Sequence, residues 1–401
     1  MALRIAASRP DPAIVTLPWS TPLEDWDEQL LVPLPRGLSR HTVRIVRLRD
    51  QVYAVKETQE EMAWREYRLL RDLQRIGLPA VVPQAVVTGR VDADKEPLPS
   101  ALVTRHLRFS LPYRSLFSHG VRVEHLPSLV DAMVVLLVRL HLAGFFWGDV
   151  SLSNVLFRRD AGAFTAYLVD AETGELRPAL SAEMREHDVT VGSENIFAEL
   201  LDLQASDEEV YAEVEAHQIV DLLVGRYQAL WAELTDEEQF SANEMWRIEE
   251  RIERLNELGF DVDELDIVTD LDGDRLVIRP RVVELGHHQR ELRDLTGMTV
   301  EDNQARRLLN DLAGFTASAD LGREDRALVA ARWMAEFYEP VTMMIPAELR
   351  GRLEPAEFYH EVLVHRWYLS EQAGREVDIF DTARDYIDTV LTQKPEEAIA
   401  E

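Results

Sequence analysis

The feature that most narrows what this chain can fold into lies within residues 144–172, GFFWGDVSLSNVLFRRDAGAFTAYLVDAE. Asp149 and Asn154 stand five positions apart, the apolar Val155-Leu156-Phe157 follows, and Asp170 closes the apolar run Tyr167-Leu168-Val169. Phosphoryl transfer to a hydroxyl asks for this layout. One carboxylate takes the proton of the attacking hydroxyl, and a side-chain amide five residues on reaches a metal. A second carboxylate at a strand end holds Mg²⁺ against nucleotide phosphates. Taken singly, each residue has an ordinary structural role: Asp149 as a cap, Asn154 in a turn, Asp170 opening the loop that ends at Gly174. The spacing Asp-x-x-x-x-Asn is short enough to arise by chance, so partners are needed elsewhere in the chain.

They lie upstream. Residues 51–57 (QVYAVKE) alternate like a half-buried strand and carry Lys56 near the end. Residues 64–73 have helical spacing, with Tyr67, Leu70 and Leu73 on the apolar side and Leu69 flanking it. Glu66 on this helix is the natural partner of Lys56, an ion pair that aligns the lysine for the α and β phosphates; Glu60 and Glu61 are rival acids nearby. Gly77-Leu78-Pro79 ends the helix, and Val81-Val82-Pro83 starts an extended piece. Residues 101–107 form a strand entering a hinge, where backbone groups of Thr104, His106 and Leu107 would hydrogen-bond adenine. The phosphate loop is expected at Gly37-Leu38-Ser39-Arg40-His41, around Ser39, with a single glycine.

With Lys56, Glu66, Asp149, Asn154 and Asp170 in this order and spacing, the chain resembles the atypical small-molecule branch of the protein-kinase-like fold. The nearest likeness is to the lipopolysaccharide (Kdo/heptose) kinase-like proteins, with aminoglycoside and choline phosphotransferases and RIO kinases more distant. Residues 64–79 look like their second-helix segment, and 147–154 (WGDVSLSN) like their catalytic loop. The resemblance spans roughly residues 30 to 230, and it extends to the architecture of a bacterial family that joins such a domain to a C-terminal domain of unknown function, DUF4032. It implies ATP and Mg²⁺ as cofactors, Asp149 as the base, Lys56 and Glu66 at the phosphates, and Asn154 and Asp170 at the metal. Three departures stand out. Trp147-Gly148 replaces His-Arg before the base, Asp170-Ala171-Glu172 lacks the Phe-Gly of regulated protein kinases, and the phosphate loop is poor in glycine. Glu172 is either one more metal ligand or a solvent-facing acid.

A chain of 401 residues exceeds one compact core. The expected organisation is α+β: an irregular Pro- and Asp-rich lead-in at 1–28, a kinase-like N-lobe at 29–107, a C-lobe at 108–234, and a mainly helical accessory domain with a small β-hairpin at 235–401. After Asp170 there is no Ala-Pro-Glu segment and no Ser/Thr/Tyr-rich activation loop; residues 183–203 run directly into a helix, which favours a small-molecule acceptor. The absence of cysteine excludes disulfides, thiolate metal sites and cysteine catalysis. No apolar run reaches membrane-spanning length and no secretory signal opens the chain, so a cytoplasmic location is expected. The net charge of −30 repels nucleic acid and anionic membrane.

The last domain reads differently. Thr235-Asp236-Glu237-Glu238 has the form of a helix cap, and 245–258 is a charged amphipathic helix. Residues 267–278 form a hairpin turning at Asp272-Gly273. Its Asp270, Asp272 and Asp274 resemble a calcium loop, but Arg275 and Arg281 stand where Gly and Glu are required, which rejects that site. Arg279, Arg281, His287, His288, Arg290 and Arg293 cluster within fifteen residues. Such a cluster is either a pocket for a phosphorylated or carboxylated ligand or a set of ion pairs with Glu284, Glu291, Asp294, Glu301 and Asp302. Residues 299–302 start a helix expected to end at Gly314. Two functions follow: a phosphotransferase acting on a sugar- or polyol-like hydroxyl, or a pseudokinase-type binding protein sensing an anion through the Arg/His cluster. The acceptor and the oligomeric state stay open.

Overall fold

The computed structural model describes residues 2–8, 11–32, 41–49, 51–118, 126–206, 215–236, 238–240, 247, 250, 260–261, 264–269, 276–281 and 284–397. They divide into two compact units, one formed by 1–158 with 166–226, the other by 159–165 with 227–400.

Unit one opens on a five-stranded antiparallel sheet built from β1 (Arg4–Ala7), β2 (Val43–Leu48), β3 (Gln51–Thr58), β4 (Val82–Thr88) and β5 (Ser100–Arg105), in the order β1-β4-β5-β3-β2. Alternation in β3 sends Tyr53 and Val55 into an apolar layer and Lys56 to the opposite face. The lead-in is mostly short 3₁₀ turns, as its composition suggests, but it is not a loose tail. Ile14, Trp19, Leu23 and Trp26 are buried against the strand residues Val46, Val55 and Val103. The fully buried Arg90 donates to the carbonyls of Trp19 (3.1 Å) and Thr21 (2.7 Å) and to Glu57 (2.7 Å), which satisfies its charge in the core.

Helix α1 (Glu60–Arg75) packs on β4 and β5 through Ala63, Tyr67, Leu70 and Leu73. Glu60 and Glu61 occupy its first turn, where the helix dipole favours acids, and Arg75 its last. Helix α3 (Leu126–Leu142), which follows the short β6 (Ser110–Pro112) and α2 (Tyr113–Ser118), is apolar almost all round and serves as a core helix. It leads through β7 (Phe145–Phe146) to the 147–154 loop, then to β8 (Val155–Asp160) and β9 (Ala163–Leu168), which join β6 in a three-stranded sheet. β10 (Glu175–Leu176) pairs with β7, and α4 (Ala182–Ser206) and α5 (Ala216–Thr235) follow.

Unit two contains a three-stranded sheet of β11 (Glu238–Phe240), β14 (Leu276–Arg281) and β13 (Glu264–Thr269), in the order β11-β14-β13. The short pair β12 (Phe260–Asp261) and β15 (Glu284–Leu285) accompanies it. Among the described residues, six α-helices surround one apolar core: α6 (His287–Thr296), α7 (Asp302–Ser318), α8 (Arg326–Trp333), α9 (Glu339–Met343), α10 (Pro355–Ala373) and α11 (Ile379–Thr389). Trp333 and Tyr359 meet edge to face at 5.9 Å and both donate to Asp311, so neither buried polar tip is stranded.

Residues 159–165 add a hairpin tip to this unit. Ala161 (φ 51°) and Gly162 (φ 86°) are both left-handed, as a tight hairpin turn demands. Fully buried Asp160 accepts from the Gln304 N–H (2.8 Å), the Asn303 amide (3.0 Å) and the Thr165 hydroxyl (3.0 Å). Burial pushes its carboxyl up to about 6, against the pull of these donors.

Two expectations are corrected. No helix starts at Thr235: it ends α5, its hydroxyl turns back to the Trp231 carbonyl (2.8 Å), and the next described element is strand β11, paired with β14. Helix α7 does not stop at Gly314 but runs to Ser318. A mid-helix glycine costs about 1 kcal/mol, and Phe315, packed on the core 5.4 Å from the Phe337 ring, offsets it. The expected helix at 245–258 lies almost wholly outside the described residues, as do the Asp272-Gly273 turn and the Gly37–Arg40 loop with Ser39.

Candidate active site

The site is organised around Lys56. Its ammonium lies 3.1 Å from Glu66 on α1, 2.7 Å from Asp170 after β9, and 2.9 Å from Glu172 two residues further on. Of the competing acids on α1, Glu66 is the one turned inward: it falls in the buried stripe of Ala63, Tyr67, Leu70 and Leu73, and its side chain is only 2% exposed. An unpaired carboxylate could not stay charged there. Burial first and the Asp170 charge second push the Glu66 carboxyl up to about 7, with Lys56 pulling the other way. For Lys56, burial favours the neutral amine, but the charges of Glu66 and Asp170 outweigh it and hold the ammonium above the ordinary lysine value. Three carboxylates thus crowd one cation.

The turn after β9 is fixed on several sides. The Glu172 N–H donates to Asp170 (2.9 Å), the Thr173 hydroxyl to the Trp147 carbonyl (2.8 Å), and Arg65 of α1 to the Gly174 carbonyl (2.9 Å). Glu172 is not the solvent-facing acid that its loop position suggests. It is 20% exposed and bridges Lys56 to His41 Nε2, 2.9 Å away on the other side.

The 147–154 loop is gripped by one face of α4. Asp188, fully buried, accepts the N–H groups of Trp147 (2.8 Å) and Gly148 (2.7 Å) and pairs with His141 Nε2 (3.1 Å). Burial holds His141 below the usual imidazole range, against the opposing pull of Asp188. Asn195 donates to Asp149 Oδ1 (3.2 Å) and the Val150 carbonyl (3.0 Å), and Glu199 accepts the N–H groups of Leu152 (2.8 Å) and Ser153 (2.9 Å). Between them sits Gly192, where an added Cβ would lie 2.8 Å from the Val150 side chain. Positions 188, 192, 195 and 199 recur at helical spacing and form a single stripe. Asn154 turns its amide to the Asp149 carbonyl (3.0 Å), which leaves its side-chain oxygen for another partner. Asp149 is half-buried and held from both sides by amides.

At the hinge, Thr104 lies within the sheet opposite Ala54 and Pro83, and the His106 N–H donates to the Val52 carbonyl (2.9 Å). That N–H is therefore committed within the sheet and is not one of the backbone groups left for adenine. The Leu107 carbonyl accepts from Ser110 (2.6 Å). Burial lowers the His106 imidazole to about 4.

The Arg/His cluster is spread over β14 and α6. His288 pairs with Asp302 (3.0 Å), and the register of β14 on β13 sets Arg279 opposite Asp266 and Arg281 opposite Glu264. His287, Arg290 and Arg293 follow one another along α6. Glu291 meets Arg326 instead, and Glu301 takes the N-cap position of α7.

The sequence reading gave no role to Asp188, Asn195 and Glu199, for which the stripe spacing in α4 was the available signal; His41 closes the stretch expected as the phosphate loop.

Both parts of the chain match family models. Residues 41–191 match the Lipopolysaccharide kinase (Kdo/WaaP) family, and residues 229–391 match the Domain of unknown function (DUF4032). Among solved structures, one described as WaaP in complex with acyl carrier protein aligns at 16% identity and a TM-score of 0.33, covering 57% of this chain and 98% of that one. Among curated proteins, none matches significantly. The chain joins a sheet-rich N-terminal region, which contains the match to the kinase family model, to a mainly helical C-terminal one. Among the described residues, no helix is long and apolar enough to cross a membrane.

Proposed function

We propose that this chain is an ATP- and Mg²⁺-dependent phosphotransferase acting on a hydroxyl of a small molecule, a sugar- or polyol-like acceptor. The observation that carries it is the meeting of Lys56, Glu66 and Asp170, three residues drawn from separate elements and spanning more than a hundred positions. In this reading the lobes at 29–107 and 108–234 carry the chemistry, and the 235–401 domain contributes acceptor specificity. Lys56, oriented by Glu66, holds the α and β phosphates. The Asp170 carboxylate and the Asn154 side-chain oxygen are hard donors suited to Mg²⁺, which when bound would neutralise charge on the phosphates. Asp149, steadied by Asn154 and Asn195, accepts the acceptor's hydroxyl proton as that oxygen forms its bond to the γ-phosphorus and the bond to ADP breaks.

The kinase family match at 41–191 supports phosphoryl transfer in general, and a sugar-like acceptor agrees with it. The alternative, an anion sensor built on Arg279, Arg281, His287, His288, Arg290 and Arg293, draws less support, because His288 is already paired with Asp302.

Thermal unfolding with and without ATP and Mg²⁺ tests the proposal. Nucleotide at about 100 times its Kd adds about 2.7 kcal/mol of stability. A Mg²⁺-dependent rise that disappears in Asp170→Asn is expected; no rise in the wild type would sink the reading. Asp149→Asn should abolish transfer while leaving the rise intact.

A further inference from the structure

The Lys56 ammonium has three hydrogens to give, and three carboxylates stand against it at 3.1, 2.7 and 2.9 Å. Glu66 and Asp170 accept hydrogen bonds from it, while Glu172 Oε2 stands at ion-pair distance without one, so a phosphate that comes up to the ammonium on that side takes the place of Glu172. Glu66 is buried within the α1 stripe, and Asp170 is bound to the backbone of its own turn through the Glu172 N–H. Glu172 is the one that can leave. Its carboxylate is held between two nitrogen groups, the Lys56 ammonium and His41 Nε2, each 2.9 Å away. A carboxylate bracketed in this way marks an anion seat filled by the chain's own anion.

We propose that this seat belongs to a nucleotide phosphate, with Lys56 and His41 as its two walls and Glu172 as an internal occupant that the phosphate displaces. The inference rests on the phosphotransferase reading above. It also bears on the shortage of glycine at 37–41: an imidazole N–H from His41 supplies a donor that a glycine-rich loop would take from its backbone. Once displaced, Glu172 lies two residues from Asp170, beside the place proposed for Mg²⁺. Metal-bound nucleotide gives the freed carboxylate a cation to face, and metal-free nucleotide does not.

Calorimetric titration of the full chain with ADP, with and without Mg²⁺, tests this in the wild type, Glu172→Gln, His41→Gln and the double variant. Each fold is verified by its thermal unfolding midpoint. Glu172→Gln should bind metal-free ADP about tenfold more tightly, the scale of one charge-assisted contact released. Adding His41→Gln to that variant should then weaken ADP binding several-fold. Unchanged or weaker metal-free binding in Glu172→Gln overturns the displacement. If His41→Gln tightens binding just as Glu172→Gln does, His41 merely holds the glutamate and is no phosphate ligand. Wild type that binds ADP with Mg²⁺, alongside an unresponsive Glu172→Gln, sinks this inference alone. Failure of every form to bind ADP sinks the phosphotransferase reading with it.

Discussion

Glu66 and Asp160 are both buried carboxylates, one in each unit, and they are satisfied by opposite means. Glu66 faces an ammonium and two further acids, whereas Asp160 is enclosed by a backbone N–H, an amide and a hydroxyl, all neutral. Both are pushed upward by burial, Glu66 to about 7 and Asp160 to about 6. The difference lies in what each can exchange. An ammonium shared among three acids can pass to a phosphate without leaving Glu66 alone. Neutral donors aimed at one carboxylate can only hold it. A counter-charge thus suits a place where ligands come and go, and neutral donors suit a permanent joint.

The comparison breaks most visibly at Lys56. Lys56→Met should abolish turnover and, by stranding Glu66, cost about 3–5 kcal/mol in denaturant unfolding. Lys56→Met with Glu66→Leu should recover most of that stability and none of the turnover. If the single variant is as stable as the wild type, the counter-ion account of Glu66 fails.

Asp160→Ala comes next. Loss of the shared acceptor should cost about 2–4 kcal/mol with no change in ADP affinity, and an altered affinity would contradict the division drawn here. Asp160→Asn sharpens the point through pH. Because the native carboxyl is raised to about 6, its protonated form contributes fully below the unfolded carboxylate range and that contribution is lost as pH rises through 6. The wild type should therefore lose about 2–3 kcal/mol relative to Asp160→Asn between pH 4 and pH 7; parallel stability curves would refute the raised value. The smallest effect is expected from Asn195→Ala: about tenfold in turnover, or about 1.4 kcal/mol, at unchanged nucleotide affinity. Equal loss in both quantities would mean a general loosening of the loop instead.

Much of this was legible in the sequence, for reasons that differ from residue to residue. Lys56, Glu66 and Asp170 are prescribed by their chemistry and sit in strand and helix patterns that survive translation into structure. Asp188, Asn195 and Glu199 look like the ordinary polar side of a helix, because their partners are backbone N–H and carbonyl groups that no side-chain pattern reveals. The stretch from Thr235 has the letters of a helix cap, and pairing of β11 with β14 overrode that local preference. The solvent-facing alternative for Glu172 fell for a similar reason: its neighbours His41 and Lys56 lie far away in sequence, and only the folded chain brings them together.

The stripe on α4 has a further consequence. Its contacts depend on phase: each residue advances the helix by about 100°. Inserting one residue between Asp188 and Asn195 would still permit a helix, yet swing Asn195 and Glu199 away from the loop they hold and turn the buried Ile196, Leu200 and Leu203 with them. The twelve residues from Asp188 to Glu199 therefore behave as a ruler whose length cannot drift, however freely their outward-facing neighbours change.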